Sequence, residues 1–151
     1  MLGAETLLHW DLRSKGHKLY LEPGATTAHT NFAVLSVFIK VQFHNGRVFG
    51  ADRAQAWPFY KRTAYTLAAP LIPFVRLLRI ARNLQARNAL YLLIRALYMV
   101  LLGLIFDALG QCGGYAFGAG RSPEQIAQFE FHRERFSLMP ASALQEELEL
   151  A

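Results

Sequence analysis

The stretch that decides the fold is NALYLLIRALYMVLLGLIF, Asn88 to Phe106, apolar throughout except for Arg95. A run of this length and composition predicts a helix, close to the ~20 residues needed to cross a bilayer. An arginine at mid-depth costs about 2.5–3.5 kcal/mol on insertion scales. Snorkelling of the long side chain or a protein partner reduces that cost. Asp107 ends the fully apolar run. Gly110, Gly113, Gly114, Gly118 and Gly120 follow, and glycines so placed permit close helix packing or chain reversal. The expected helix covers 86–117.

Working upstream, Arg76, Arg79, Arg82 and Arg87 alternate with Leu77, Leu78, Ile80 and Leu84. This is the pattern of an amphipathic helix lying on an anionic membrane. Ala64 to Val75 is uncharged and apolar, but Pro70 and Pro73 interrupt it, and it is short for a straight span. Trp57-Pro58-Phe59-Tyr60 has the aromatic character of a membrane interface. These segments predict a helix over 57–82, broken at its prolines. Asn31 is placed to cap a helix over 32–45, which Asn45-Gly46 ends. Arg47 to Arg53 then reads as a basic loop or helix start.

The two ends differ in character. Glu5 to Lys15 reads as a helix, with Leu8 and Leu12 on one face and Gly16 as its stop. His17 to Glu22 alternates polar and apolar, as a half-buried strand does. Pro23-Gly24 is a turn, and Ala25 to His29 a second short strand. At the other end, Ser122-Pro123-Glu124-Gln125 predicts a helix over 123–136, with Ser122 as cap and Pro123 at the first position. The expected fold class is therefore mainly α with a small β element near the N-terminus (α+β). Three parts are expected: 1–31, 32–121 with the amphipathic and hydrophobic helices, and 122–151 with a polar helix and acidic tail.

The bulk composition agrees with contact to lipid. The 151 residues are 53% hydrophobic and 18% charged, with net charge +5. Mean hydropathy is +0.17 and the pI about 9.7. Such a chain is too apolar to be disordered. Between Arg47 and Arg95 the only acid is Asp52, whereas glutamates crowd the end of the chain. Basic residues interleaved with long apolar runs favour lipid and phosphate over nucleic acid, for which no reading motif is present. Cys112 is the single cysteine, so there is no internal disulfide framework and no cysteine-based zinc site. That accords with a reducing, cytoplasmic setting. The first residues lack a secretory n-region and read as if the chain begins inside a domain.

Ala4 to Gly16 (AETLLHWDLRSKG) resembles a pattern in family 2 glycosyltransferases. There an acidic pair is followed by Leu, by Arg-Leu, by Gly, and then by a strand and a Pro. Glu5 takes the second acidic position, Leu8 and Leu12 the apolar ones, and Gly16 the glycine. Ala4 stands in place of the first acid, and Asp11 where an Arg usually precedes the Leu. The match continues through Pro23 and His29, Phe43-His44-Asn45-Gly46-Arg47, and Asp107 to Gly118, which look like the membrane-proximal end of bacterial members.

The resemblance implies the C-terminal part of a GT-A-type inverting enzyme at the cytoplasmic face of a bacterial inner membrane. Sugar would pass from a nucleotide-sugar donor to an envelope-type glycan or lipid acceptor. Glu5 would be the general base that deprotonates the acceptor hydroxyl. Its alternative role is to favour a helix N-terminus. His9 and Trp10 would line the acceptor side, although a tryptophan is more often core. Arg47 and Arg53 would contact a diphosphate or lipid phosphate, or else form a plain basic surface. A divalent metal, Mn or Mg, would belong to the complete enzyme. His29 falls where related folds place a metal ligand, and otherwise reads as a hydrogen-bonded loop histidine. The chain has no Asp-x-Asp, no nucleotide-binding half, no phosphate-binding glycine loop, no nucleophile elbow and no His-Glu-x-x-His. The alternative reading is a non-enzymatic membrane-associated adaptor.

Overall fold

The computed structural model describes residues 5–20, 22, 24–25, 32 and 34–136, with only the backbone described for 5–7 and 134. Six α-helices follow in order: α1 (Glu5–Ser14), α2 (Leu35–Arg53), α3 (Phe59–Ala68), α4 (Ile72–Gln85), α5 (Leu90–Phe117) and α6 (Ser122–Phe131). A 3₁₀ turn, Ala69–Leu71, joins α3 to α4, and a second, Arg133–Phe136, follows α6.

Among the described residues there is no strand, so the expected β element at His17 to Glu22 is not seen. Its residues 17–20 are exposed, Tyr20 at 83%. Alternation makes a strand only when a neighbouring strand takes up the backbone N–H and C=O groups, and no such neighbour is described. The second expected strand, like Asn31 and His29, falls largely or wholly outside the described residues. Gly16 does stop α1: it has φ +85°, and the His17 N–H bonds the Leu12 carbonyl at 3.0 Å. The Gly16 N–H donates to the Arg13 carbonyl at 3.1 Å, completing a left-handed C-terminal cap.

The core is the crossing of α2 and α5. α2 does not end at Asn45-Gly46 as its sequence predicts, and the residues read as a basic loop form its second half. The physical reason is packing. A Cβ added at Gly46 would collide with the Asp107 carbonyl, and one at Gly50 would sit 2.7 Å from the Gln111 carbonyl. On the facing helix, a Cβ at Gly110 would meet the Phe43 carbonyl, and one at Gly114 the Arg47 carbonyl. The glycines thus allow two backbones to touch, as small residues do in membrane helix pairs. Dispersion gained along this seam outweighs the ~1 kcal/mol helix penalty of each glycine.

Charged and polar side chains pin the remaining helices to this pair. The Arg62 guanidinium of α3 donates to the Tyr115 carbonyl at 2.9 Å, satisfying an otherwise orphaned group at the end of α5. Arg47 donates to the Gly118 carbonyl at 2.9 Å, beyond the same helix end. Ile126 of α6 is 3% exposed, and Ser122 is fully buried against His44, Oγ to Nδ1 at 3.0 Å. Ser122 therefore serves as a tie between α6 and α2 rather than as the predicted side-chain cap, and no side-chain capping bond forms.

The outer face of α3, α4 and α5 is apolar and open. Leu67, Phe74 and Ile94 are 76%, 67% and 71% exposed. Two helical runs, Phe59–Gln85 and Leu90–Phe117, of 27 and 28 residues, are long and apolar enough to cross a membrane. The first corresponds to the helix expected over 57–82, and as expected it is broken at its prolines, by the 3₁₀ turn Ala69–Leu71 between α3 and α4.

Two predictions follow from this packing. Gly110→Ala should destabilise the chain by about 1–3 kcal/mol, since its methyl meets backbone that cannot yield. Gly113→Ala, whose Cβ would find only the Arg47 Cδ at 4.0 Å, should be neutral or stabilising by up to ~1 kcal/mol. Unfolding of the detergent-solubilised chain, followed by circular dichroism, separates the two. Burial first, then the Arg47 and Lys40 charges, push the His44 pKa below its ordinary 6.5. The unfolded chain therefore takes up this proton first as pH falls. Stability from His44 is complete above 6.5 and declines through the window below it. His44→Gln should flatten that slope in pH-dependent unfolding curves.

Candidate functional site

A cleft of about 700 Å³ opens between α1, α2, α3, α4 and α5. Its floor is a ladder on one face of α5, built from residues spaced four apart. The Tyr115 hydroxyl donates to Gln111 Oε1 at 3.0 Å, and Gln111 Nε2 donates to Asp107 Oδ2 at 2.8 Å. Arg76 of α4 completes the chain, its Nη1 2.6 Å from Asp107 Oδ2. Tyr115 is wholly buried and Gln111 nearly so, which fixes the ladder's geometry. The Asp107 side chain is 13% exposed and that of Arg76 39%, so the pair sits at the boundary of the core.

An aromatic box forms one wall. Trp57 stacks on Tyr115 with ring centres 5.8 Å apart, and Tyr65 meets both rings. The Arg53 guanidinium lies 5.1 Å from the Tyr65 ring centre, 5.3 Å from that of Trp57 and 5.8 Å from that of Trp10. Ring faces hold this cation without neutralising it. Arg79 lines the cleft and is exposed. Among the described residues neither Arg53 nor Arg79 has a carboxylate within ion-pairing distance. Asn45 also lines the cleft, and its buried Oδ1 has no hydrogen-bond partner among them.

The residues singled out by sequence divide. Trp10 and Arg53 meet in the cleft, where Trp10 also packs edge-on against Phe49 at 5.9 Å. α1 is thereby docked on the helical body. His9 is exposed on α1 and does not line the cleft. Arg47 lies outside the cleft lining, bound to the turn after α5. Glu5 begins α1, but its side chain is outside the described residues, as is His29 altogether. Among the described residues no three His, Cys, Asp or Glu side chains gather to hold a metal ion.

From sequence alone Arg76 and Arg79 belong to a membrane-facing stripe, and no motif marks Asn45, Gln111 or Tyr115 as site residues. The available signal was the spacing of Asp107, Gln111 and Tyr115, polar groups four apart on an otherwise apolar helix. No protein-family model, curated protein or solved structure matches this chain.

Breaking the ladder tests its weight. A double-mutant cycle on Arg76→Ala and Asp107→Ala should give a coupling of about 1–3 kcal/mol in unfolding free energy. The same cycle on the exposed Asp11–Lys15 pair, also 2.6 Å apart, should give about 0–0.5 kcal/mol.

Proposed function

We propose that the chain is the membrane-seated C-terminal part of an inverting, GT-A-type glycosyltransferase. The observation that carries this reading is the docking of α1 on the cleft through Trp10. The helix bearing the glycosyltransferase-like motif stands beside an arginine-lined opening with an apolar face at its edge. Such a layout suits an acceptor delivered from a membrane. In the proposed reaction the Glu5 carboxylate takes the proton of the acceptor hydroxyl. That oxygen forms a bond to the anomeric carbon as the bond to the nucleoside diphosphate breaks, inverting the centre. The donor, and any Mn or Mg that assists the leaving group, would be held by a nucleotide-binding half carrying an Asp-x-Asp.

Seating is proposed to be in the plane of the membrane, at its cytoplasmic face. Arg79, Arg82 and Arg95 are all exposed. Each would cost about 2.5–3.5 kcal/mol at the centre of a bilayer and much less at headgroup level. The second reading, a non-enzymatic membrane adaptor, is favoured by the same apolar face, which needs no chemistry at Glu5.

Coding sequence in frame with or adjacent to Met1 should supply the nucleotide-binding half. In that assembled protein, Glu5→Gln should lower sugar transfer by about 10²–10⁴-fold while membrane recovery stays unchanged. Unchanged transfer would leave the adaptor reading in place. Alkaline carbonate should release the 151-residue chain from membranes, as it does a protein lying in the interface. Retention in the pellet would favour crossing helices.

A further inference from the structure

We infer that the cleft is a binding site for the phosphate of an anionic lipid, with Arg53 and Arg79 as its ligands. This rests on the membrane seating proposed above, and is independent of sugar transfer.

The charge balance comes first. Among the described residues, Arg53, Arg76 and Arg79 line the cleft against one carboxylate, Asp107. Asp107 is already engaged by Arg76 and Gln111. Two guanidinium groups therefore face the opening with no carboxylate among the described residues to pair them. Arg53 is held in place by three aromatic rings, so it is ordered before any ligand arrives. Guanidinium groups fixed in this way match the oxygens of a phosphate, which accepts two hydrogen bonds from each.

One further observation points to a lipid. Leu71 and Val75 line the same cleft, yet are 61% and 55% exposed. The mouth of the cleft is thus continuous with the apolar face of α4. An occupant with a charged head and a greasy tail covers both, whereas a free phosphate covers only the arginines. Phosphatidylglycerol joins the two features, an anionic phosphate and acyl chains, and is the probe for this site.

Trp10 and Trp57 are the only tryptophans, and both lie against Arg53. Their emission is a built-in reporter of the site. The full chain in nonionic detergent is titrated with dihexanoyl phosphatidylglycerol, dihexanoyl phosphatidylcholine and glycerol 3-phosphate, each below micelle formation. A saturable emission change is expected with phosphatidylglycerol, at least about tenfold tighter than with either of the others. Arg79→Gln, at an exposed position, should weaken that binding about tenfold. Arg53→Lys should weaken it as well, because an ammonium keeps the charge but not the two-pronged guanidinium geometry. Arg82→Gln removes the same charge outside the cleft and should leave it unchanged.

Equal losses for Arg79→Gln and Arg82→Gln would overturn the proposal in favour of diffuse surface attraction. Glycerol 3-phosphate binding as tightly as phosphatidylglycerol would overturn the lipid assignment. Flotation with phosphatidylcholine vesicles, with and without phosphatidylglycerol, checks the seating separately. A chain that floats with neither overturns the membrane reading itself. One that floats but shows no saturable emission change overturns only the cleft.

Discussion

Where α2 crosses α5, two helix backbones meet with no side chain between them. Gly46 and Gly50 lie against Asp107 and Gln111, while Gly110 and Gly114 lie against Phe43 and Arg47. Everything else is arranged around that contact. It sets the height at which Asp107, Gln111 and Tyr115 face the cleft. It also brings the end of α5 within reach of Arg47 and Arg62, whose guanidinium groups take up carbonyls there. A wider crossing would lengthen those bonds and open the floor of the cleft together. Stability and site geometry are thus fixed by the same four glycines.

The distribution of charge follows from this arrangement. Arginines do three different jobs here, and their surroundings decide which. Arg47 and Arg62 close a helix end, Arg76 is neutralised by a carboxylate at the edge of the core, and Arg53 rests among aromatic rings. Of the arginines lining the cleft, Arg53 and exposed Arg79 are the two with no carboxylate partner among the described residues. The apolar face of α3, α4 and α5 makes a lipid a natural source of an anion for them. A face carrying Leu67, Phe74 and Ile94 so far into solvent is costly in water and favourable against acyl chains.

The proposed enzymatic role depends on α1, which couples to the body through a small set of ring contacts. Trp10 touches Phe49 and Arg53, and through Arg53 it is linked to Trp57 and Tyr65. An occupant that engages Arg53 therefore acts on the same cluster that seats the motif helix. This places the proposed lipid site and the proposed catalytic helix in direct physical contact.

By itself the sequence determined the helical class, the two long apolar runs and the basic stripe of α4. These depend on local periodicity and on the burial preferences of single residues, both visible along one chain. It also marked Gly16 as the end of α1, because that cap is made from residues a few positions apart. Tertiary structure alone decided the rest. Asn45-Gly46 reads as a stop, yet α2 continues to Arg53, because α5 rewards a glycine at that spot with backbone contact. His17 to Glu22 alternates like a strand, but residues 17–20, with no described neighbour to bond, are irregular. Arg47 and Arg53 look equivalent on paper, and only the fold sends one to a helix end and the other to the cleft. The contacts of Gly46 with Asp107 and of Arg47 with Gly118 join residues more than fifty apart, and no local pattern encodes their meeting.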